Sequence, residues 1–293
     1  MDLKKFKMIS AILLAVALLF LSVIMIINKN KADNLPYSAA EDLSALLASC
    51  GVTLSPDTVP LKREKLPVYS LPAVDGVEAQ RIAETLGSST RIAANLTEDG
   101  YRFRLENGAM ADISRYLNVS YILNGTNADY TVAYPPTDVA KEKADAFISR
   151  FYSASANDDA LLCSYVLAEY ASMGSNTLLK FDIYLNGTKI HGSALTVYQN
   201  ANGDILNASG SCAFSTLKKE SGFKHYGIIN ILKTEFDSIK ANGAIGTEIE
   251  SIKTYYVMRR SADGERILLL PAWEIKYTNG ETRLYDGVYS ESP

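Results

Sequence analysis

The chain has 293 residues, with 29 Lys plus Arg against 33 Asp plus Glu, a formal net charge of −4 and 47% hydrophobic residues. That balance excludes a disordered tail, a collagen-like chain, a disulfide-stapled mini-protein and a polytopic membrane protein. The acidic total also argues against a nucleic-acid binder, whose Lys and Arg would be in excess and gathered on one face; the 18 Tyr, twice the 9 Phe, suit half-wet β-sheets.

Met8 to Ile27 reads MISAILLAVALLFLSVIMII, twenty residues without a charge. At about 1.5 Å per helical residue this spans the hydrocarbon core of a bilayer. The competing reading is a cleaved signal peptide, but the apolar run is long and ends in Asn28-Lys29-Asn30-Lys31 with no small-residue cleavage pattern. The sequence therefore predicts an uncleaved single-pass helix over 8–27, after a tail of residues 1–7 too short to hold a function of its own. Lys4, Lys5 and Lys7 precede the helix while Lys29 and Lys31 follow it, so the positive-inside rule favours a cytoplasmic N-terminus by a narrow margin. The predicted location is the cell membrane, with the bulk of the chain extracytoplasmic. Residues 1–33 carry five Lys and two Asp, which leaves −7 for the exported remainder. Such a domain does not bind anionic polymers by bulk charge.

After a linker (28–37), Ser38-Ala39-Ala40-Glu41 has the spacing of a capping box. Leu43, Leu46, Leu47 and Cys50 follow at helical spacing, and Gly51 supplies a stop. A stretch marked by Pro56, Pro60, Pro67 and Pro72 then reads as extended. A short helix carries Ala79, Ile82, Ala83 and Leu86 up to Gly87. Strands are predicted at 100–106, 109–113 and 119–123, the first two joined by Asn107-Gly108. These segments make a first α+β domain over 38–133.

Tyr134-Pro135-Pro136 marks a boundary, after which a second α+β domain covers 137–293 in two helix-plus-meander halves, 137–214 and 224–289. The first half opens with a helix capped by Thr137 or Asp138 and carrying Ala140, Ala144, Phe147, Ile148 and Phe151. Leu179, Phe181, Ile183 and Leu185 alternate with Lys180, Asp182 and Tyr184, a strand with one buried and one wet face. Asn186-Gly187 turns it into 190–198, and Asn202-Gly203 turns that into 205–214. In the second half a helix over 224–240 carries Ile229, Leu232, Phe236 and Ile239. Strands follow at 249–259, 266–277 and 282–289, joined through Asp263-Gly264 and Asn279-Gly280. A helix laid on an antiparallel sheet buries both apolar faces, so the predicted architecture is α+β, with helix-on-antiparallel-sheet units repeated two or three times behind one transmembrane helix.

Catalytic groups are scarce. His191 follows a hairpin turn and His225 starts a helix, and neither belongs to a metal-spaced cluster. Ser215…Lys218 and Ser221…Lys224 match S-x-x-K, the serine–lysine spacing of penicillin-recognising enzymes, but no K-T-G follows. Asp158-Asp159 and Glu98-Asp99 pair carboxylates in turn contexts, where solvated acids are the ordinary explanation. The sequons at Asn95, Asn118, Asn124, Asn186 and Asn207 double in part as turn sequences. Cys163 and Cys212 fall in neighbouring strand candidates and have the option of bridging, Cys50 ends a helix, and buried thiols account for all three. No catalytic, cofactor-binding or metal site is predicted, and no cofactor. In the predicted anchor Ala11 and Ala15, with Ser22 two turns on, form a small-residue stripe that permits close helix–helix contact in lipid. It is the predicted partner-contact surface.

The layout resembles the YycI/YycH family of membrane-anchored regulators of Gram-positive bacteria: a short Lys-containing N-terminus, one transmembrane helix and an exported α+β region. The segment Leu46-Leu47-Ala48-Ser49-Cys50-Gly51-Val52 leading to Leu66-Pro67-Val68-Tyr69 resembles the family's chain after its anchor. Leu270-Pro271-Ala272-Trp273-Glu274-Ile275-Lys276-Tyr277, with Asn279-Gly280-Glu281 and Tyr285-Asp286-Gly287, resembles its closing hairpin, which is also similar to peptidase-propeptide-like (PepSY) modules. The resemblance implies no catalysis. It implies association with an essential sensor histidine kinase of cell-wall homeostasis, and with a related single-pass regulator, through the anchor. The leading expectation is therefore a single-pass regulator of a two-component kinase. The alternative is a membrane-tethered binding module for wall peptides or a peptidase, and a wall hydrolase is the weakest of the three.

Overall fold

The computed structural model describes residues 34–62, 65–87, 89–91, 100–123, 137–153, 163–173, 176–211 and 217–290. The predicted anchor with Ala11, Ala15 and Ser22 lies outside the described residues. So do Asn95, Glu98, Asp99, Asn124, Tyr134-Pro135-Pro136, Asp158, Asp159, Cys212 and Ser215. Among the described residues no helix is long and apolar enough to cross a membrane.

The fold is α+β, with four described helices and a large mixed sheet. The helices are α1 (Tyr37–Ala48), α2 (Gly76–Leu86), α3 (Asp138–Ser153) and α4 (Ile228–Asn242). The strands are β1 (Thr53–Leu54), β2 (Tyr69–Pro72), β3 (Ser89–Arg91), β4 (Gly100–Leu105), β5 (Met110–Ser114), β6 (Asn118–Ile122), β7 (Cys163–Met173), β8 (Asn176–Leu185), β9 (Thr188–Gln199), β10 (Ile205–Ser211), β11 (Lys218–Lys219), β12 (Phe223–His225), β13 (Glu248–Arg260), β14 (Arg266–Tyr277), β15 (Thr282–Asp286) and β16 (Val288–Ser290).

Two compact units divide the chain, and neither is contiguous. Of the described residues, the first takes those within 34–66, His225–Lys253 and Trp273–Gly287; the second takes those within Pro67–Lys224, Thr254–Ala272 and 288–290. The units therefore do not follow the expected segments 38–133 and 137–293. Strands β13 and β14 each give part of their length to both units, an arrangement that local periodicity does not encode.

In the first unit β1 runs parallel to β13, with Thr53 opposite Glu248 and Leu54 opposite Ile249. The order continues β13, β14, β15. Helices α1 and α4 share one core with these strands: Ala40, Leu43 and Leu47 from α1, Ile231, Leu232 and Ile239 from α4, and Ile249, Ile252, Trp273, Ile275 and Tyr277 from the sheet. The expected capping box is not used. Pro36, extended at φ −67° and ψ 146°, is the N-cap, so α1 begins at Tyr37 and Ser38 lies inside it. Of the expected linker over 28–37, residues 28–33 lie outside the described residues, while Leu35 donates its N–H to the Leu61 carbonyl at 2.7 Å and Asn34 bridges Lys62. The Pro-marked stretch is broken by a 3-10 turn at Pro56–Thr58.

In the second unit the strand order is β11-β2-β14-β13-β9-β10-β6-β5-β4-β3, with β8 and then β7 on the other side of β9. Strand β9 shares one edge between two neighbours. Ile190 and His191 pair parallel with Tyr256 and Val257 of β13, whereas Leu195 to Gln199 pair antiparallel with β10. Gly192, at φ +73°, sits between the two pairings, where a left-handed residue turns the strand from one to the other. These pairings correct the expected all-antiparallel meanders, because β1 and β9 both run parallel to β13. Helix α2 is capped by Asp75, whose carboxylate accepts from the N–H of Val77 (2.9 Å) and Glu78 (2.8 Å). Helix α3 is capped by the Thr137 hydroxyl, which accepts from Ala140 at 3.2 Å. Ala79, Ile82, Ala83 and Leu86 are buried, as are Ala140, Ala144, Phe147 and Ile148, the positions that helical spacing selects. Cys50 and Cys163 are thiols rather than disulfides. Cys163 pairs on β7 with Leu185 of β8, so β8 and β9 separate its strand from β10, the strand leading toward Cys212.

Candidate functional site

The chemistry-bearing groups of the first unit gather around α4. Sequence spacing puts Ile229, Leu232, Phe236 and Ile239 on its inner face, but the buried positions are Ile228, Ile231, Leu232, Glu235 and Ile239. Ile229 is 37% exposed. The stripe is rotated because Glu235 occupies it, fully buried. A buried carboxylate is costly unless paired and hydrogen-bonded, and the closing hairpin supplies its partners. The hydroxyls of Tyr277 and Tyr285 both donate to Glu235, and the Arg283 guanidinium donates to it at 3.0 Å. Arg283 also donates to the Ser238 hydroxyl at 2.9 Å and to the Gly243 carbonyl at 3.3 Å. Burial, reinforced by the Glu235 carboxylate, pushes the Tyr285 hydroxyl up to about 12 and the Tyr277 hydroxyl further above its ordinary value. Both phenols are thus neutral donors, and the cluster fastens the hairpin to α4. With its hydrogen bonds made on both sides, it is a structural lock.

The start of the same helix borders a groove of about 270 Å³. Its apolar walls come from Leu35, Pro60, Leu61, Ile228 and Trp273, and its polar rim includes Asn34, Lys62, His225 and Asn230. Trp273, the chain's single tryptophan, is 5% exposed, so the indole is wall rather than rim. The segment Asn34–Leu35 and the segment Leu61–Lys62 close one side, held to each other by the Leu35–Leu61 hydrogen bond. The groove combines apolar lining with a few convergent polar groups, the ordinary make-up of a binding site.

The predicted chemical residues are dispersed. His191 lies on β9 with its ring edge-on to Tyr255, the centroids 6.2 Å apart. His225 ends β12 on the groove rim. Lys218 and Ser221 are exposed, and Lys224 is exposed on β12, so the described part of the serine–lysine matches is an open surface connection. Asn118 and Asn186 are exposed, and Asn186 takes φ 49° in the turn its sequence predicts. Among the described residues no group of three or more His, Cys, Asp or Glu is placed to hold a metal ion. A depression of about 400 Å³ on the second unit is lined by Gly100, Ser114, Ser120, Ser209 and Gly210, and its one acid, Asp112, is already bound by Arg102 at 2.6 Å. Glu235, Arg283, Lys62 and Trp273 were not legible as site residues. The available signal for Glu235 was a charge falling at helical spacing among Ile228, Ile231, Leu232 and Ile239.

No protein-family model matches the chain, and no curated protein matches it.

Proposed function

We propose that the chain is a single-pass membrane regulatory protein that modulates a two-component sensor histidine kinase of cell-wall homeostasis through its anchor, Met8–Ile27, and its exported α+β domain. The finer architecture that goes with this reading is one transmembrane helix followed by helix-plus-meander units, as in the YycI/YycH family that the sequence layout resembles.

One observation carries the reading. Asn34, seven residues after the uncharged run ends at Ile27, already bridges Lys62 in the first unit. Seven residues reach at most about 25 Å, which couples the proposed anchor to the first unit at short range. A regulator that works through its anchor needs this coupling, because a helix biases a kinase only by binding its signalling states unequally. The small-residue stripe of Ala11, Ala15 and Ser22 supplies the helix–helix contact.

The test replaces residues 8–27 with an unrelated transmembrane helix of equal length in cells carrying a reporter of the kinase's output. Loss of regulation with normal membrane insertion is the expected result. Regulation retained by the swapped chain, or by residues 34–293 exported without an anchor, moves function to the ectodomain. That outcome selects the second reading, a tethered binding module for wall peptides or a peptidase.

A further inference from the structure

We infer that the groove bounded by Leu35, Leu61, Lys62, His225 and Trp273 is a lipid-facing surface that rests on the anionic phospholipid headgroups of the membrane holding the anchor. The inference rests on the anchor reading of Met8–Ile27 and deepens it. It does not depend on which side of the membrane the domain occupies.

Three observations converge. The first is reach. Asn34 lines the groove and lies seven residues after Ile27, within about 25 Å of the end of the apolar run along the chain. The headgroup layer is itself about 5–8 Å deep on each side of the hydrocarbon core, so the rim meets it without full extension of the connection. The second is charge. Residues 34–293 carry net −7, which an anionic surface repels, yet the rim presents the exposed cation Lys62 with His225 beside the groove. A lysine close to an anionic leaflet is attracted to it. The third is amphipathic form. The wall holds Trp273, Leu35 and Leu61 under a polar rim, and Ile229, 37% exposed, extends the apolar area outward. The exposed Lys62 is the rim group that suits the headgroup layer, and Trp273, 5% exposed, lies behind it in the wall as a reporter.

Trp273 is the chain's only tryptophan, so its fluorescence reports the groove without labelling. The full chain is reconstituted into vesicles of equimolar phosphatidylcholine and phosphatidylglycerol, with and without a nitroxide carried on the lipid headgroup. The expected result is quenching of Trp273 by the headgroup nitroxide, none by a nitroxide at the bilayer centre, and weaker quenching in pure phosphatidylcholine. The exposed substitution Lys62→Glu lowers the contact equilibrium in the anionic vesicles about tenfold, and Lys62→Arg retains it. An unquenched Trp273 in a chain that resists carbonate extraction overturns the lipid surface while leaving the anchor intact. A chain that carbonate removes overturns the anchor reading itself. If soluble glycerophosphoglycerol shifts the Trp273 emission while vesicles leave it unquenched, the groove takes a free phosphodiester and the lipid surface is overturned.

Discussion

Among the described residues Glu235 is the charged side chain that is fully buried. Its charge is balanced by one guanidinium that is itself only 17% exposed. Removing one member of such a pair leaves the other uncompensated, which costs about 3–5 kcal/mol. Glu235→Ala is therefore expected to lower the denaturant midpoint severely, while Tyr277→Phe, which removes one donor from a carboxylate that keeps others, costs about 1.5–3 kcal/mol. The same cluster makes stability fall at alkaline pH. The Tyr285 hydroxyl, ordinarily near 10, stands near 12 in the folded chain. A group raised on folding stabilises fully below its unfolded value and loses that contribution as pH rises through the folded one. Stability is thus expected to decline from about pH 10 toward pH 12, and Tyr285→Phe to remove that part of the slope in alkaline unfolding curves.

Elements with a strong local pattern were legible in the sequence. The period-two strand with Leu179, Phe181, Ile183 and Leu185 is β8, with all four buried, and Asn186-Gly187 turns it into β9 at positive φ on both residues. Helix α4 was legible as a helix, with Leu232 and Ile239 buried as expected, but Ile228 and Glu235 are buried where spacing selects Ile229 and Phe236, because spacing assigns apolar residues inward and has no term for a carboxylate paired 48 residues away. Short strands that exist only through distant partners were missed. Strand β1 has two residues, and its partner β13 begins near Glu248. One element-scale device shows why such sheets are specific. A Cβ on Gly210 of β10 would meet the Ala194 carbonyl at 2.0 Å. Gly210→Ala must push β10 off β9, at a cost of about 1–3 kcal/mol. Amide exchange is expected to accelerate along Leu195–Gln199 and Ile205–Ser211 before it does so in β4 and β5. Uniform loss of protection would show instead that β9 and β10 open with the whole second unit.

At the scale of the molecule, each compact unit is assembled from segments far apart in sequence, and two strands are divided between them. Fold class was readable because helical and strand periods alternate along the chain; the partition was not, because it depends on which strand meets which across about 200 residues. The groove was hidden for the same reason. Leu35, Leu61 and Trp273 carry no shared motif and meet only when the unit closes. What the sequence did make legible is the uncharged run with Ala11, Ala15 and Ser22, on which the functional account turns. Among the described residues the histidines and the exposed S-x-x-K lysines lie apart from one another, and Asp112 is ion-paired with Arg102.

The most direct test of that account places photo-crosslinking residues singly at Ala11, Ala15 and Ser22, and at Leu14 and Phe20 as controls, in native membranes, and identifies what each traps. Capture of a histidine kinase at the three small positions and not at the two controls is the predicted result. A helix that traps no protein at any of the five positions contradicts an anchor-mediated regulator and leaves the anchor as a tether.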